Sequence, residues 1–599
     1  MKRILFFLVA AVIVAACSKK PELQIEKGEN GSATLRFKAT QKYLLLPMED
    51  RGAEKTLKFS ADGSTVNTFV IRPAQNQIDY WMPLELGAWN KASMEVFFEG
   101  MEGYDLFFGN VKLSDTLSYD YAEKFRPLYH FTPPYGWMND PNGMVYYDGE
   151  YHLAYQHNPY GTRWQNMSWG HAVSRDLVRW EHLPEALFPD TLGAIFSGSA
   201  VVDHNNTSGL QEGDEKTLLA YFTHAGRFGQ MQSLATSNDR GRTWTKYAGN
   251  PVLKNEAERD FRDPKVFWYE ATGKWIMILA VGQKMEIYSS ANGLDWALES
   301  RFGEGQGNHG GVWECPDLFE LPVEGEPGNS KWVLVCNINP GGPSGGSATQ
   351  YFTGSFDGSA FVNDAAPEVT KWMDYGKDHY ATVSWASVPE EDGRRIVIGW
   401  MSNWEYANDV PTLNFRSATT VARELKLVRK NGDLVVASYP VKELESLRTT
   451  PVNHEPFVVD KEFSMDNFLA ENEGAYEITM NLSVPQSGVF GFTLMNSLGD
   501  SVTVTLNSAE GKLIMDRTHS GLTDFSDPFP AITVAPLAAK TEYAIRLLAD
   551  KASLELFEGS GETVMTNIVF PQEPYNRIRF FTEEGSMEVK ELTIYKLEI

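Results

Sequence analysis

The stretch NDPNGMVYYDGEYHLAYQ, residues 139–156, decides the fold because its pattern returns along the chain. A polar turn leads into a short apolar strand, the chain turns at Asp148-Gly149, and a second apolar strand follows. An Asp-Gly pair between two such strands is a strong hairpin signal. The pattern recurs in FRDPKVFWYEATGKWIMILAV (261–281), WECPDLFELPVEGEPGNSKWVLVCNIN (313–339), YATVSWASVPEEDGRRIVIGWMSN (380–403) and, with a longer turn, FSGSAVVDHNNTSGLQEGDEKTLLAYFTH (196–224).

A second kind of hairpin lies between these segments. Each copy has a serine, an Asp or Asn two residues later, and an aromatic residue after four or five more; the serines are Ser174, Ser237, Ser290 and Ser355. Side chains of this kind usually satisfy the backbone of a turn, so we assign them a structural role. Four strands per unit, repeated along the chain, are typical of a β-propeller. We therefore predict a five-bladed β-propeller over residues 125–435.

The flanking regions lack this repeat. Residues 17–120 read as a small N-terminal β module, and residues 440–599 alternate in short strands such as AYEITMNLSV, which predicts a C-terminal β-sandwich. No long amphipathic helical pattern occurs in the mature sequence, so the predicted fold class is all-β. The charged run around residues 425–448 is the expected linker between propeller and sandwich.

The N-terminus has the pattern of a secretory signal. Lys2 and Arg3 precede the apolar run ILFFLVAAVIVAAC (4–17), which is short for a membrane-spanning helix. Its end, VAAC, resembles a bacterial lipoprotein box, which implies that residues 1–16 are removed and that a lipid is attached to Cys17. The alternative is an ordinary signal peptide with an incidental cysteine. We expect a secreted lipoprotein of the cell envelope, anchored through Cys17 to the outer membrane on either its periplasmic or its surface face.

Composition narrows the function classes. The 599 residues exceed what one core usually organises, and the net charge of −26 argues against nucleic acid or anionic lipid as a partner.

Besides Cys17 only Cys315 and Cys336 occur, as a bridge or as two buried thiols. No EF-hand loop or zinc motif is present, so no metal and no cofactor are predicted. The oligomeric state stays open.

Three acids stand at related places in three of the repeats. In a propeller the innermost strands line the central channel, so equivalent strand ends converge near the axis. Aligning the prolines of NDP, RDP and ECP puts Asp140 and Asp263 at equivalent positions and Cys315 at the third, with Glu314 one residue earlier. We therefore expect Asp140, Asp263 and Glu314 to face one pocket.

Two carboxyl groups on opposite sides of a pocket are the smallest set of side chains with which glycoside hydrolysis usually proceeds. Each acid also has a plainer interpretation: Asp140 before proline as a turn residue, and Asp263 as an ion-pair partner of Arg262. Glu314, between Trp313 and a cysteine, lies in apolar company that favours a protonated carboxyl, which suits an acid catalyst. Their placement in three repeats favours a functional role.

WMNDPNG (137–143), FRDPKV (261–266) and WECPDLF (313–319) closely resemble the three signatures of glycoside hydrolase family 32, the invertases, inulinases and levanases. The resemblance covers roughly residues 125–599 and implies a propeller followed by a β-sandwich. Together with the lipoprotein box and the N-terminal module, it points to fructanases of the Bacteroidetes lipoprotein type. The N-terminal module resembles extra β modules of some lipoprotein fructanases, and two roles stay open for it, polysaccharide binding or holding the enzyme off the membrane.

The resemblance also implies roles for single residues. Asp140 is similar to the family's nucleophile, Glu314 to its acid/base, and Asp263 with Arg262 to its transition-state stabiliser. The carboxyl groups of nucleophile and acid/base should then lie about 5–5.5 Å apart. For Trp404 a structural role between blades is an alternative. The implied substrate-binding residues are Asn139, Gln156, Trp164, Asn166, Ser197, Arg262, Asp378, Tyr380 and Trp404.

The function that this resemblance implies is a retaining β-fructosidase that hydrolyses terminal fructosyl units of levan or inulin, and sucrose, by double displacement. Alternatives are an endo-acting levanase or inulinase, a fructosyltransferase that uses the same acids, and a non-catalytic glycan-binding lipoprotein. Linkage preference and exo or endo action depend on loops around the pocket, for which FGEGQGNHGGVW (302–313) and NPGGPSGGS (339–347) are candidates.

Overall fold

The computed structural model describes residues 23–119, 121–255, 257–430, 432–485 and 487–599, of which 53% are strand and 4% helix. The predicted signal segment and Cys17 lie outside these residues. The chain divides into two compact units, residues 1–118 and residues 119–599. Among the described residues, every helix is too short or too polar to cross a membrane.

The N-terminal unit contains two antiparallel sheets. Its elements are β1 Gln24–Lys27, β2 Ala33–Lys38, β3 Tyr43–Met48, β4 Lys55–Ala61, β5 Ser64–Ile71, β6 Tyr80–Glu85, β7 Ser93–Phe98, α1 Asp105–Asn110 and β8 Lys112–Ser114, with 3₁₀ turns at Glu29–Gly31 and Gly87–Trp89. The strand orders are β1-β2-β7-β4-β5 and β6-β3-β8. Apolar side chains alternate along the strands, so that Leu35 and Phe37 of β2 are buried while Arg36 and Lys38 are exposed.

Five antiparallel sheets, here numbered I to V, follow one another in the described part of residues 136–440. Sheet I has β9 Gly136–Tyr147, β10 Glu150–Asn158, β11 Ser168–Ser174 and β12 Trp180–Leu187. Sheet II has β13 Ala194–Asp203, β14 Thr217–Gly226, β15 Gly229–Ser237, β16 Thr245–Lys246 and β17 Leu253–Lys254. Sheet III has β18 Phe261–Tyr269, β19 Lys274–Val281, β20 Lys284–Ser290 and β21 Ala297–Phe302.

Sheets IV and V complete this region. Sheet IV has β22 Val312–Pro322, β23 Ser330–Asn339, β24 Ala348–Phe356, β25 Phe361–Asn363 and β26 Lys371–Trp372. Sheet V has β27 Tyr380–Ser384, β28 Arg395–Met401, β30 Ala418–Thr419, β31 Arg423–Lys430 and β32 Asp433–Pro440, while β29 Phe415–Arg416 pairs in parallel with β9 and Ala407–Asp409 forms a 3₁₀ turn.

The five sheets close into a ring. Their first strands contact one another in the order β9, β13, β18, β22, β27 and back to β9. A buried apolar cluster fills the space between each neighbouring pair, for example around Trp169 between sheets I and II and around Trp385 between sheets V and I. This is a β-propeller, as predicted from the repeated hairpins.

The Ser/Asp hairpins are structural, as predicted. Asp176 accepts hydrogen bonds from the backbone N–H groups of Val178 (3.0 Å) and Arg179 (2.7 Å) and from the hydroxyl of Ser174 (3.1 Å). The hydroxyl of Ser237 likewise donates to Asp239 (2.7 Å). These carboxylates take up backbone donors of the turns that join the outer strands.

Two sheets form the C-terminal sandwich over one large apolar core. The seven-stranded sheet has β33 Val452–His454, β34 Phe457–Val459, β36 Tyr476–Ser483, β41 Glu542–Asp550, β42 Ser553–Glu558, β43 Thr563–Ile568 and β45 Met587–Lys596. The six-stranded sheet has β35 Glu462–Asp466, β37 Val489–Met495, β38 Ser501–Asn507, β39 Lys512–His519, β40 Ile532–Pro536 and β44 Arg577–Thr582.

The predicted linker at 425–448 is wrong for most of its length. The charged run belongs to the hairpin β31–β32, the outer strands of sheet V, where Leu425 and Leu427 are buried and Lys426 between them is exposed. The charges that suggested a linker therefore lie on the solvent face of a half-buried strand. Only the segment after Pro440, which includes the 3₁₀ turn Lys442–Leu447, connects the propeller to β33.

Candidate active site

The inner strands of sheets III, IV and V leave their hydrogen-bonded ladder at the same place. In each strand a bulge of two residues interrupts the pairing with the second strand. The first bulge residue has a left-handed backbone, with φ of +65° at Asp263, +42° at Cys315 and +52° at Ala381. This conformation is costly for residues other than glycine and clusters at functional sites.

The residues that precede these three bulges form a row across the sheets. Arg262 of sheet III donates from Nη2 (3.1 Å) and Nε (3.3 Å) to Oε1 of Glu314 in sheet IV. Tyr380 of sheet V donates its hydroxyl to the other carboxylate oxygen, Oε2. Glu314 is therefore held on both sides by side chains from equivalent positions of its neighbours.

Cys315 connects the other two acids. Its backbone N–H donates to Oδ2 of Asp263 (2.9 Å), and its thiol lies 3.3 Å from Oδ2 of Asp140 and 3.6 Å from Oδ2 of Asp263. Because Glu314 precedes Cys315 in the chain, the three acids from sheets I, III and IV converge at one end of the ring, as the repeat predicted. Cys315 and Cys336 are free, buried thiols.

The proline alignment that led to this convergence needs one correction. In sheet III, Asp263 is the first of the two bulge residues, between Arg262 and Lys265. In sheet I the bulge lies between Met138 and Pro141, and Asp140 is its second residue. When the two bulges are aligned, the aspartates therefore differ by one position. Their side chains reach the same site because the backbone of the sheet I bulge is not left-handed, unlike that of Asp263.

Asp140 is fixed by donors from two sheets. The hydroxyl of Ser197 donates to Oδ2 (2.7 Å), and the amide of Asn139 donates to Oδ1 (3.0 Å). Asn139 is oriented in turn by the indole N–H of Trp137, which donates to its Oδ1 (2.8 Å). The two predicted binding residues Asn139 and Ser197 thus position the carboxylate itself.

The electrostatics differ among the acids. Burial raises the pKa of Asp263 to about 7; Arg262 opposes this shift, and the charges of Glu314 and Asp140 add to it. Burial also raises the pKa of Glu314, against the opposing effects of Arg262 and Tyr380. A carboxyl group that keeps its proton near neutral pH can act as a general acid.

Aromatic side chains lie beside the acids. Trp404 stacks on Trp137 (ring centroids 5.7 Å apart) and contacts Trp400 (4.9 Å) and Trp164 (6.5 Å). Trp164 is 41% exposed, whereas Trp137 and Trp400 are fully buried. Trp404 is half-buried, so it packs on its neighbours and keeps part of its surface exposed, and its role in the pocket stays a prediction.

Two predicted binding residues lie on sheet I and the loop that follows β10. Gln156 is buried, and its amide nitrogen has no hydrogen-bond partner within the described part of the chain. Asn166 has a left-handed backbone, and its amide donates to Oδ1 of Asn158 (3.1 Å). A buried unsatisfied donor such as that of Gln156 is what a bound polar ligand would satisfy.

Asp378 does not lie in the pocket. Its carboxylate is fully buried, forms an ion pair with Arg517 of the sandwich, and accepts hydrogen bonds from the Tyr406 hydroxyl and the Ile568 N–H (2.9 Å). A fully buried carboxylate with these partners has no surface to offer a substrate. Asp378 was predicted at the pocket from the family resemblance of KDHYA (377–381), but it precedes β27, and its carboxylate contacts Arg517 and Ile568 of the sandwich.

Sequence reasoning missed the roles of Gln230 and Asp260. Both accept hydrogen bonds from Nη1 of Arg262, at 3.2 and 2.7 Å, and thereby hold the guanidinium against Glu314. Asp260 stands two residues before Arg262, so its position in the sequence was a signal that could have indicated this contact. Gln230 comes from sheet II and had no signal in the sequence.

Family models match most of the chain. The model of the glycosyl hydrolases family 32 N-terminal domain matches residues 130–438, and that of the family 32 C-terminal domain matches residues 443–596. A domain of unknown function matches residues 29–129, and a prokaryotic membrane lipoprotein lipid attachment site matches residues 1–18.

Characterised relatives and solved structures agree with these matches. A levanase of Bacillus subtilis is 50% identical over 483 residues, 80% of this chain and 71% of the relative, and an extracellular exo-inulinase of Aspergillus awamori is 37% identical over 523 residues, 80% and 96%. The crystal structure of exo-inulinase from Aspergillus awamori has a TM-score of 0.74 at 34% identity, covering 80% of this chain and 99% of its own. A fructofuranosidase from Schwanniomyces occidentalis complexed with fructose has the same TM-score and identity, covering 81% and 100%. The chain therefore belongs to glycosyl hydrolase family 32 and is a glycoside hydrolase.

Proposed function

We propose that the protein is a retaining, exo-acting β-fructosidase that removes terminal fructosyl units from fructans such as levan and inulin, and that also cleaves sucrose. The observation that carries the proposal is the convergence on Cys315 of three acids from three sheets. The substrate class is supported by the relatives, which are a levanase, exo-inulinases and fructofuranosidases.

The first step forms a fructosyl-enzyme. A carboxylate oxygen of Asp140 attacks the anomeric carbon, the bond from that carbon to the glycosidic oxygen breaks, and Glu314 gives its proton to the leaving oxygen. The raised pKa of Glu314 supports the role of acid, because the carboxyl keeps its proton at higher pH. Ser197 and Asn139 hold Asp140 in the attacking orientation.

The second step releases fructose. Glu314, now ionised, takes a proton from water, the water oxygen bonds to the anomeric carbon, and the ester bond to Asp140 breaks. Two inversions at one carbon leave its configuration unchanged. Asp263, beside the positive charge that develops on the sugar ring in both steps, is the proposed stabiliser, and Arg262 orients Glu314.

Exo action is supported by two observations. Several relatives are named exo-inulinases. In addition, the half-buried Trp404 lies beside Trp137, whose indole holds Asn139, and the exposed Trp164 lies beside Trp404. The rings of Trp164 and Trp404 would form a wall of a pocket around a chain end.

The lipid attachment match at residues 1–18 supports an anchor at Cys17, and the name of an extracellular relative supports an envelope location. Metabolic labelling with a radioactive fatty acid should mark the wild-type chain in a bacterial membrane fraction. Cys17→Ser should be unlabelled, and label retained by this variant would contradict the anchor.

The central experiment is a time course on levan, inulin and sucrose, with methanol present as a second acceptor. Exo action gives fructose from the first time point, and retention gives methyl β-fructoside as the methanol product. A ladder of oligosaccharides would contradict exo action, and methyl α-fructoside would contradict the double displacement. Absence of hydrolysis of all three substrates would overturn the proposed function.

A further inference from the structure

A second cavity lies at the other end of the propeller channel. It has a volume of about 370 Å³ and is lined by the C-terminal parts of the inner strands of sheets II, III and IV and by the segment after β27. The acids stand near the N-terminal ends of the same strands. On β18, Asp263 and Trp268 are five residues apart, which is about 16 Å along a strand.

A buried ion pair separates this cavity from the active site. Nζ of Lys265 lies 3.0 Å from Oδ2 of Asp317 and donates to the carbonyl oxygen of Ser384 (2.6 Å). The Ser384 N–H donates to the same carboxylate (2.6 Å). Both charged side chains are almost fully buried, so the channel is filled at this level, and a ligand in the cavity does not reach the acids.

The lining of the cavity is rich in aromatic rings. Phe267, Trp268, Phe319 and Trp332 come from three neighbouring strands; Phe267 and Trp332 have centroids 5.9 Å apart, and Trp268 meets the edge of Trp275 at 5.2 Å. Ligand pockets of about 300–1,000 Å³ typically combine such rings with a few polar groups. The C–H faces of a sugar ring pack well on aromatic faces of this kind.

Two side-chain donors of the lining residues are unsatisfied. The indole N–H of Trp268 and the Nε–H of Arg395 are buried and have no hydrogen-bond partner among the described residues. The guanidinium of Arg395 lies over the ring of Phe319, 4.8 Å from its centroid. Buried donors are nearly always paired, so these two point to a ligand or ordered water rich in oxygen.

The charge of the lining decides what kind of ligand fits. The lining includes Lys265, Arg395 and four acids, of which Asp203 is buried against Thr207 and Ser208 and Asp317 pairs with Lys265. Arg395 is then outnumbered by the other two acids, Glu270 and Glu320. The excess of acid disfavours an anion such as phosphate or a nucleotide. A neutral molecule with many hydroxyl groups and apolar faces satisfies both the donors and the carboxylate acceptors.

We propose that this cavity is a non-catalytic binding site for a neutral carbohydrate chain, a segment of the fructan that the active site degrades at the opposite face. Such a site holds the polymer on the enzyme between cleavage events, and it raises the local concentration of chain ends without new catalytic contacts. The identity of the chain rests on the proposed function, whereas the existence of the site rests on the cavity alone.

Titration calorimetry with a fructan oligosaccharide on the inactive Asp140→Asn variant tests this site. We expect Asp140→Asn combined with Trp268→Ala to have one binding site fewer per chain than Asp140→Asn alone. Trp268→Phe, which keeps the ring and removes the N–H, should weaken the site in the cavity by about tenfold or less, since one hydrogen bond is lost. Val362→Ala, at an exposed position on the outer strand β25, is the matched control and should leave all sites intact.

Kinetics of the active enzyme give an independent result. Trp268→Ala should raise KM for levan or inulin by about threefold to tenfold and leave kcat and KM for sucrose unchanged, because only the polymer spans both faces. Glu320→Ala, an exposed acid of the same cavity, should act in the same direction if Trp268→Ala folds poorly. A number of calorimetric sites in Asp140→Asn that is unaffected by Trp268→Ala would overturn the proposal even if sucrose is hydrolysed. If the wild type hydrolyses nothing, the function fails, and a panel of neutral oligosaccharides on Asp140→Asn still tests the cavity.

Discussion

Two groups of buried charges in residues 119–599 are organised in opposite ways. The three proposed catalytic acids, Asp140, Asp263 and Glu314, here called the catalytic acid cluster, pair with one cation among the described residues, Arg262. In the interface network, which joins propeller and sandwich, each of four carboxylates contacts at least one of three cations. Its pairs are Arg423 with Asp374 (3.0 Å) and Glu555, Arg517 with Asp378, and His130 with Asp550 (2.9 Å) and Glu555 (2.7 Å).

The difference appears in the pKa values. Burial opposes the charge of Glu555, yet Arg423 and His130 lower its pKa to about 2. Burial raises the pKa of Asp263 to about 7, because one arginine does not offset the two neighbouring acids. Equal burial thus gives opposite shifts, and the number of cations decides their sign. An under-compensated cluster costs stability and supplies chemistry, whereas a compensated one holds domains together.

The largest expected effect is on activity and comes from the catalytic acid cluster. Asp140→Asn should lower kcat for sucrose by at least about 1,000-fold, because the amide does not attack the anomeric carbon. Its thermal unfolding midpoint should stay close to that of the wild type, since an amide oxygen still accepts from Ser197. Activity assays and calorimetric scans measure both.

A matched control is Glu181→Gln, an exposed acid on the outer strand of sheet I. It should leave kcat and the unfolding midpoint unchanged. An active Asp140→Asn protein, with mass spectrometry showing no deamidation, would remove Asp140 from the mechanism.

The next effect is on stability and comes from the interface network. Arg517→Met leaves the carboxylate of Asp378 buried without its cation, so the free energy of unfolding should fall by about 3–5 kcal/mol. KM for sucrose should not change at a temperature where the variant is folded. Urea unfolding and initial rates at several sucrose concentrations check the two expectations.

The double variant Arg517→Met with Asp378→Asn makes this test specific. Removing the orphaned charge should recover part of the lost stability, because both partners of the pair are then neutral. If instead Asp378→Asn alone raises KM for sucrose and leaves stability unchanged, Asp378 contacts substrate as the sequence first indicated.

The sequence predicted the propeller, the sandwich and the three converging acids because these follow from patterns that repeat. Alternating strands report which face is buried, and repeats report which strand ends share a pocket. It misjudged the hairpin β31–β32 because exposed charges on a strand look like a polar linker when read without the buried leucines between them.

The register of Asp140 and the place of Asp378 were beyond the sequence for a different reason. A bulge shifts the pairing of a strand by one residue, and no particular residue types mark it in the sequence. The ion pair between residues 378 and 517 depends on how the propeller packs against the sandwich. The same applies to Gln230, whose contact with Arg262 joins neighbouring sheets.

The stability lost because one arginine does not balance the three acids can be measured at Asp263. The pKa of Asp263 is about 7 in the folded chain, against an ordinary value of 3.8. As pH rises, the unfolded chain therefore loses this proton before the folded chain does. The free energy of unfolding consequently falls between about pH 4 and about pH 7. Asp263→Asn removes that loss. Relative to the wild type, the variant should gain up to about 4 kcal/mol in unfolding free energy between pH 4 and pH 7.5 while its activity falls. A stability difference that does not change with pH would show that Asp263 is ionised at no cost.

The smallest effect is expected at His130, and its sign is opposite. Burial disfavours the charged imidazole, but hydrogen bonds to Asp550 and Glu555 raise its pKa from 6.5 to about 9. The folded chain therefore holds this proton more tightly, so the stabilisation is complete below about pH 6.5 and is lost as pH rises through 9. The advantage of the wild type over His130→Gln should shrink by about 3 kcal/mol between pH 6 and pH 9.5.

His519→Gln, at an exposed position on β39, is the control for the His130 comparison and should show no such change. Titrating groups that do not interact with the substituted histidine cancel, because each comparison subtracts the wild type at the same pH. An advantage of the wild type that is constant with pH would mean that His130 is neutral in the folded chain. The interface network would then hold Asp550 with backbone donors and at most one neutral imidazole N–H, and a cation at Asp550 would no longer distinguish this network from the catalytic acid cluster.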